Sequence, residues 1–159
     1  MNANAVPSTG PARHARVVLA PGLTLIAAVS RAMAGLGWRS ANLLLFGGPL
    51  WRAAYHTSIL TPGGARWIDY GPERLVPGPA WLVAGCATFG RGADGEDALH
   101  CHAVLAGVGA RPVGGHLSPE GCVLGDAGLI AHAAGAEGAG FAVRPDAATG
   151  FSLLTPVPA

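Results

Sequence analysis

Apolar and polar positions along this chain follow two rhythms, one near its start and another for the rest. From Thr24 to about Leu36 the apolar stripe is Leu25, Ile26, Val29, Met33 and Leu36, the three-and-four spacing of a helix with one buried side. Thr24 can cap its first turn, and Gly37 is a natural stop. A short strand, Arg16 to Ala20, is predicted ahead of it, with Pro21-Gly22 as the break. Asn42 to Phe46 is a leucine-rich run ended by Gly47-Gly48-Pro49, which suits a buried strand.

Beyond that the rhythm is that of short strands separated by turn residues. The predicted strands are Ala53–Leu60, Ala65–Asp69, Trp81–Thr88, Leu99–Ala106, Pro112–His116, Cys122–Ala133 and Phe141–Val143, with Thr149–Leu154 as a last edge strand. Thr61-Pro62-Gly63-Gly64 fits a hairpin turn, and Gly71-Pro72 and Pro77-Gly78-Pro79 mark loops. Residues 1–12 are small and polar and read as a flexible arm, leaving 13–159 as one domain. One early amphipathic helix followed by many strands predicts an α+β domain with a mixed, largely antiparallel sheet against which the helix packs.

Composition adds three constraints. Half of the 159 residues are hydrophobic and only 12% are charged, giving a mean hydropathy of +0.39. So apolar a chain is expected to bury surface in an oligomer. No run reaches the ~18 apolar residues of a membrane span and no signal-peptide layout is present, so a cytoplasmic protein without a membrane partner is expected. All ten basic residues are arginine, which excludes Schiff-base and P-loop lysine chemistry. The net charge is +1, but residues 1–40 hold four arginines and no acid, while 81–159 hold three arginines and seven acids. Cys86, Cys101 and Cys122 have no paired spacing and are expected to be small buried hydrophobes.

The chemistry is concentrated in Leu99-His100-Cys101-His102 and Val113-Gly114-Gly115-His116. In a strand, His100 and His102 share one face and Cys101 takes the other. A hairpin centred on Gly109 sets His116 directly opposite His102 on that same face. Three imidazoles converging in this way form a His₃ metal site with an open fourth position, whereas a one-residue slip would turn His116 away. Neutral imidazoles suit Zn²⁺, Fe²⁺ and Ni²⁺ comparably, so the donors alone do not select the metal. His14, His56 and His132 read as structural or surface residues. His56 can join the site only if its strand neighbours the hairpin.

These residues also carry a family resemblance. The order of leading strand, capped helix and Gly-Gly-ended strand is followed by the acidic loop Gly92-Ala93-Asp94-Gly95-Glu96-Asp97. Then come His100-x-His102, Gly114-Gly115-His116-Leu117 and Gly121-Cys122-Val123. This resembles the PPC (plants and prokaryotes conserved) domain over roughly Arg13 to Ala133, most specifically from His100 to Val123. The resemblance implies a homotrimer, a metal such as zinc on His100, His102 and His116, and Gly114 and Gly115 as small residues crowding beside it. It also carries a DNA-binding label, by analogy with plant members that bear AT-hooks. Arg111-Pro112 lacks an AT-hook core. Asp126-Ala127-Gly128 has no acid at the last position, where the family often has a glutamate. A cupin barrel would need an acid shortly after His102, and Val104 to Gly107 supply none.

Three functions remain open. One is a regulatory, scaffold or small-molecule-binding metal module. The second is a metal-dependent enzyme, for which Glu96, Asp97 and Glu120 are the nearest candidate bases in sequence. The third is a DNA-binding protein, disfavoured by the small net charge.

Overall fold

The structure, a computed structural model, describes residues 11–158. Most of the predicted flexible arm therefore lies outside the described residues, and the first strand, β1, already begins at Ala12 (Ala12–Leu19). It is followed by α1 (Leu25–Leu36). The Thr24 hydroxyl accepts the Ala27 amide, and Gly37 closes the helix at φ 68, its N–H donating to the Ala34 carbonyl. Leu25, Ala28, Val29 and Met33 form the buried stripe.

The strands that follow are β2 (Ala41–Arg52), β3 (Ala54–His56), β4 (Ser58–Leu60), β5 (Ile68–Tyr70), β6 (Arg74–Leu75), β7 (Ala80–Arg91) and β8 (Asp97–Gly107). After the hairpin come β9 (Val113–Leu117), β10 (Val123–Leu124), β11 (Leu129–Ala136), β12 (Ala139–Pro145) and β13 (Ser152–Pro158). Eleven of these form one sheet whose main order is β1-β11-β2-β7-β8-β9-β3-β6, while β4 and β5 make a separate hairpin. All pairings among the described residues are antiparallel except a single parallel bridge, Ala142 to Arg91, between β12 and β7. This is the expected architecture of one helix on a largely antiparallel sheet. No helix among the described residues is long and apolar enough to cross a membrane.

Several predicted boundaries are corrected. The second strand does not end at Phe46. It continues through Gly47-Gly48-Pro49 to Arg52 because β7 pairs with it in one register on both sides of Gly47, from Phe46–Ala84 to Gly48–Leu82. Ala53–Leu60 is two strands: β3 belongs to the main sheet, whereas β4 turns away at Thr57 to pair with β5. The second of these strands lies at Ile68–Tyr70 rather than Ala65–Asp69, because the Thr61 hydroxyl and amide hold the turn residues up to Trp67. Cys122–Ala133 is split into β10 and β11 by a turn at Gly125–Gly128. The short β6 was not predicted and pairs only with β3.

The sheet has two unlike faces. One packs on α1 and holds the core, including Leu19, Leu43, Leu45, Phe89, Cys101, Leu105 and Leu129. The other carries the histidines and also leaves Val18, Leu44, Phe46 and Val104 between 45 and 60% exposed.

Candidate metal centre

Strand register builds the site. His102 pairs with His116, Ala103 with Gly115 and Val104 with Gly114, the register of a hairpin centred on Gly109. Pleating places His100 beside them and turns Cys101 into the core, where it is fully buried and its thiol pKa is pushed up to about 12 by desolvation. The same transverse row crosses the whole sheet. Arg16 opposes His132, which opposes Leu44, then Cys86, His102, His116 and finally His56.

The ligand-capable atoms of His100, His102 and His116 all lie within 4.8 Å of one another. The Nε2 atoms of His100 and His102 are 3.0 Å apart. Two nitrogens on a tetrahedral ion at ordinary zinc distances would be about 3.3 Å apart. His116 Nδ1 is buried without a hydrogen-bond partner, a state no other buried side-chain nitrogen or oxygen among the described residues shares. An uncompensated buried nitrogen is costly, and a cation accepting its lone pair removes the cost. Desolvation, and then the neighbouring rings of His100, His102 and His56, lower the His116 pKa to about 4. His100 is lowered in the same direction by desolvation and by His102. At neutral pH both rings are therefore neutral, the form that binds metal. The donor set, its spacing and its protonation fit a divalent ion.

β3 closes the site's outer side. His56 opposes His116, with the two ring centroids 6.3 Å apart. Its Nδ1 donates to the Gly71 carbonyl at 2.9 Å, which fixes the ring's orientation. The condition set by the sequence for His56, a strand beside the hairpin, is met. His56 is nevertheless outside the converging trio and stands as its neighbour. Tyr70, which sequence reasoning missed, lies over His116 with centroids 4.7 Å apart. It reaches the site because Thr57 accepts the Gly71 amide and folds the β4–β5 hairpin back. Gly115 is required here: a Cβ would collide with the His56 carbonyl oxygen and lie 3.1 Å from the Tyr55 ring. Gly114 is less constrained, with the Ala103 carbonyl 3.3 Å from its Cβ position.

No protein-family model matches the sequence, and neither does any curated protein. Solved structures do match. A metal-containing protein from Archaeoglobus fulgidus superposes with a TM-score of 0.69 at 16% identity, over 97% of this chain and 99% of the other. A plant- and prokaryote-conserved (PPC) protein from Pyrococcus horikoshii gives 0.67 at 17% identity, over 94% of each chain. A protein from Ralstonia eutropha, whose name carries a conjectured DNA-binding role, gives 0.67 at 12% identity over 90% of each. This is the PPC fold.

Within the PPC fold, the remaining candidate residues sort by position. Cys86 is not the buried hydrophobe expected: it is exposed, because its register partner is His102 rather than Cys101. Cys122 is buried as expected, its Sγ accepting from the Ala54 amide and donating to the Ala54 carbonyl. Cys86 joins Leu44 and Thr88 in the floor of a trough of about 580 Å³ that runs from His100 and His102 to His14 and His132. No carboxylate among the described residues lines this trough. Asp97 lies on the core-facing parity of β8 and faces Arg91 at 3.7 Å, while Glu120 borders a different recess. At Gly128, where the PPC resemblance leads one to expect an acid, φ is 63 and a Cβ would run into the Leu19 carbonyl oxygen. This backbone excludes a glutamate there.

Proposed function

We propose that this chain is a metal-binding module of the PPC type, held as a homotrimer in the cytoplasm, in which His100, His102 and His116 ligate one divalent ion. Its role is regulatory or scaffolding, or the binding of a small molecule at that ion. The observation that carries this reading is the convergence of three imidazoles on a point where His116 Nδ1 has no other partner. Zn²⁺ is the leading candidate because it accepts nitrogen donors in tetrahedral sites, with Fe²⁺ and Ni²⁺ as alternatives. When bound, such an ion supplies Lewis acidity toward a carbonyl or phosphoryl oxygen. The protein supplies orientation: the hairpin fixes three rings, the Gly71 carbonyl orients His56, and Tyr70 covers His116. Binding and sensing are favoured over acid–base catalysis because no carboxylate among the described residues lines the adjoining trough. Exposed Val18, Leu44, Phe46 and Val104 on the histidine face support assembly through that face. DNA binding has weaker support, since the chain's net charge is only +1.

The test is metal content by plasma mass spectrometry on untagged protein, beside the His100→Ala/His102→Ala/His116→Ala variant. About one metal per chain, lost in the variant, is the expected result. No uptake after incubation with Zn²⁺, Fe²⁺ and Ni²⁺ would refute it.

A further inference from the structure

The arginine excess of the first forty residues meets the C-terminal strands at one end of the sheet. Arg13 on β1, Arg39 just past the helix stop and Arg91 at the end of β7 line one cavity of about 640 Å³. The cavity shares no lining residue with the histidine site. Its size is that of a small-ligand pocket. Trp38 gives it an aromatic wall, with the indole held against Gly135, whose Cβ position lies 3.3 Å from Trp38 Cε3. Gly138, in the turn between β11 and β12, contributes backbone with nothing within 4 Å of its Cβ position.

The charge balance is unequal. The lining holds three arginines and one carboxylate, Glu137, which takes the Arg13 guanidinium at 2.6 Å. Arg91 donates to the Gly95 carbonyl at 2.7 Å and has Asp97 at 3.7 Å, outside the cavity. Both therefore have partners that hold them in place. Arg39 has no ion pair or side-chain hydrogen bond among the described residues. A half-open cavity with one unmatched guanidinium, two braced ones and an indole selects for an anion attached to a flat ring. Guanidinium forks match phosphate oxygens in pairs, and an aromatic face accepts a base by stacking.

We infer that this cavity binds a small phosphorylated molecule bearing a planar ring, of mononucleotide size, with Arg39 and Arg91 on the phosphates and Trp38 against the ring. The site is independent of the metal reading. The experiment is isothermal titration at about 150 mM salt with EDTA present, using ADP, adenosine and pyrophosphate on the wild-type protein. Arg39→Gln, Arg91→Gln, Arg111→Gln and His102→Ala are compared with it. ADP is expected to bind more tightly than adenosine or pyrophosphate. Arg39→Gln and Arg91→Gln should each weaken ADP about tenfold or more, the usual cost of losing a charge-assisted hydrogen bond. Arg111→Gln and His102→Ala should leave it unchanged, which separates this site from the histidines. Failure of ADP to bind at millimolar concentration would overturn the assignment. So would ADP binding that survives both arginine substitutions, or pyrophosphate binding as tightly as ADP. Duplex DNA bound through the same arginines without ADP binding would replace it with a nucleic-acid surface.

Discussion

Acidifying the metal-free protein should destabilise it through His116, in a pH window that sets this residue apart from the carboxylates. Its ring titrates near 6.5 when unfolded and at about 4 in the fold. Between those values the unfolded chain binds a proton that the folded chain refuses, so stability rises with pH. The contribution is complete above about pH 6.5 and is lost progressively as pH falls toward 4. At 1.36 kcal/mol per unit, the full shift corresponds to about 3 kcal/mol. The ring is only half-buried, and solvent screening reduces this to about 1–2 kcal/mol. His100, lowered in the same direction, adds to the loss with the same sign. Asp69 and Asp146 are also lowered, from 3.8, so their contributions disappear only at more acidic pH. The assay is urea unfolding in EDTA at one protein concentration, followed by tryptophan fluorescence at steps from pH 7.5 to 5. Wild-type stability should fall by about 1 kcal/mol over that range, and His116→Gln should remove most of the slope. A flat wild-type curve, or a variant curve parallel to it, would refute the assignment of His116 as a ring held neutral by burial and by its neighbours.

Two further outcomes follow from packing. Gly115→Ala drives a methyl group into the His56 carbonyl. It should cost about 1–3 kcal/mol by urea unfolding, the usual range for overpacking, and weaken zinc uptake measured by competition with a chromophoric chelator. Unchanged stability would mean that β3 does not press on the hairpin. Leu44→Glu puts a charge at the centre of the exposed apolar face. It should leave the far-ultraviolet circular dichroism intact while lowering the mass measured by light scattering, and an unaltered mass would place any oligomer contact elsewhere.

What the sequence made legible was local. Thr24 and Gly37 delimit the helix through their own backbone chemistry, and the hairpin register follows from a turn centred on Gly109. Both depend on residues near one another in the chain. The errors arise where a distant strand overrides a local signal. Gly47-Gly48-Pro49 reads as a stop, yet β7 supplies partners on both sides of it and the strand runs on. Cys86 reads as core, but its face is set by pairing with His102, sixteen residues away in sequence. His56 and Tyr70 reach the site by pairing and folding back across some sixty and forty-six residues, respectively, from His116. No periodicity within a short window encodes such placements.

The absence of an acid at position 128 bears directly on what this site can do. The turn places Gly128 at positive φ with its Cβ position against the Leu19 carbonyl oxygen, so a glutamate would need a different path between β10 and β11. That path also starts β11, whose pairing with β2 and β1 carries His132 and the far wall of the trough. A single Gly128→Glu substitution should therefore disrupt the sheet rather than restore a base. Three histidines converge, and no carboxylate among the described residues lines the adjoining trough; the ring beside the trio is His56, whose Nδ1 donates to the Gly71 carbonyl. A site of this kind is better suited to holding an ion and a neutral or anionic ligand than to repeated proton transfer, which needs a base positioned on the substrate.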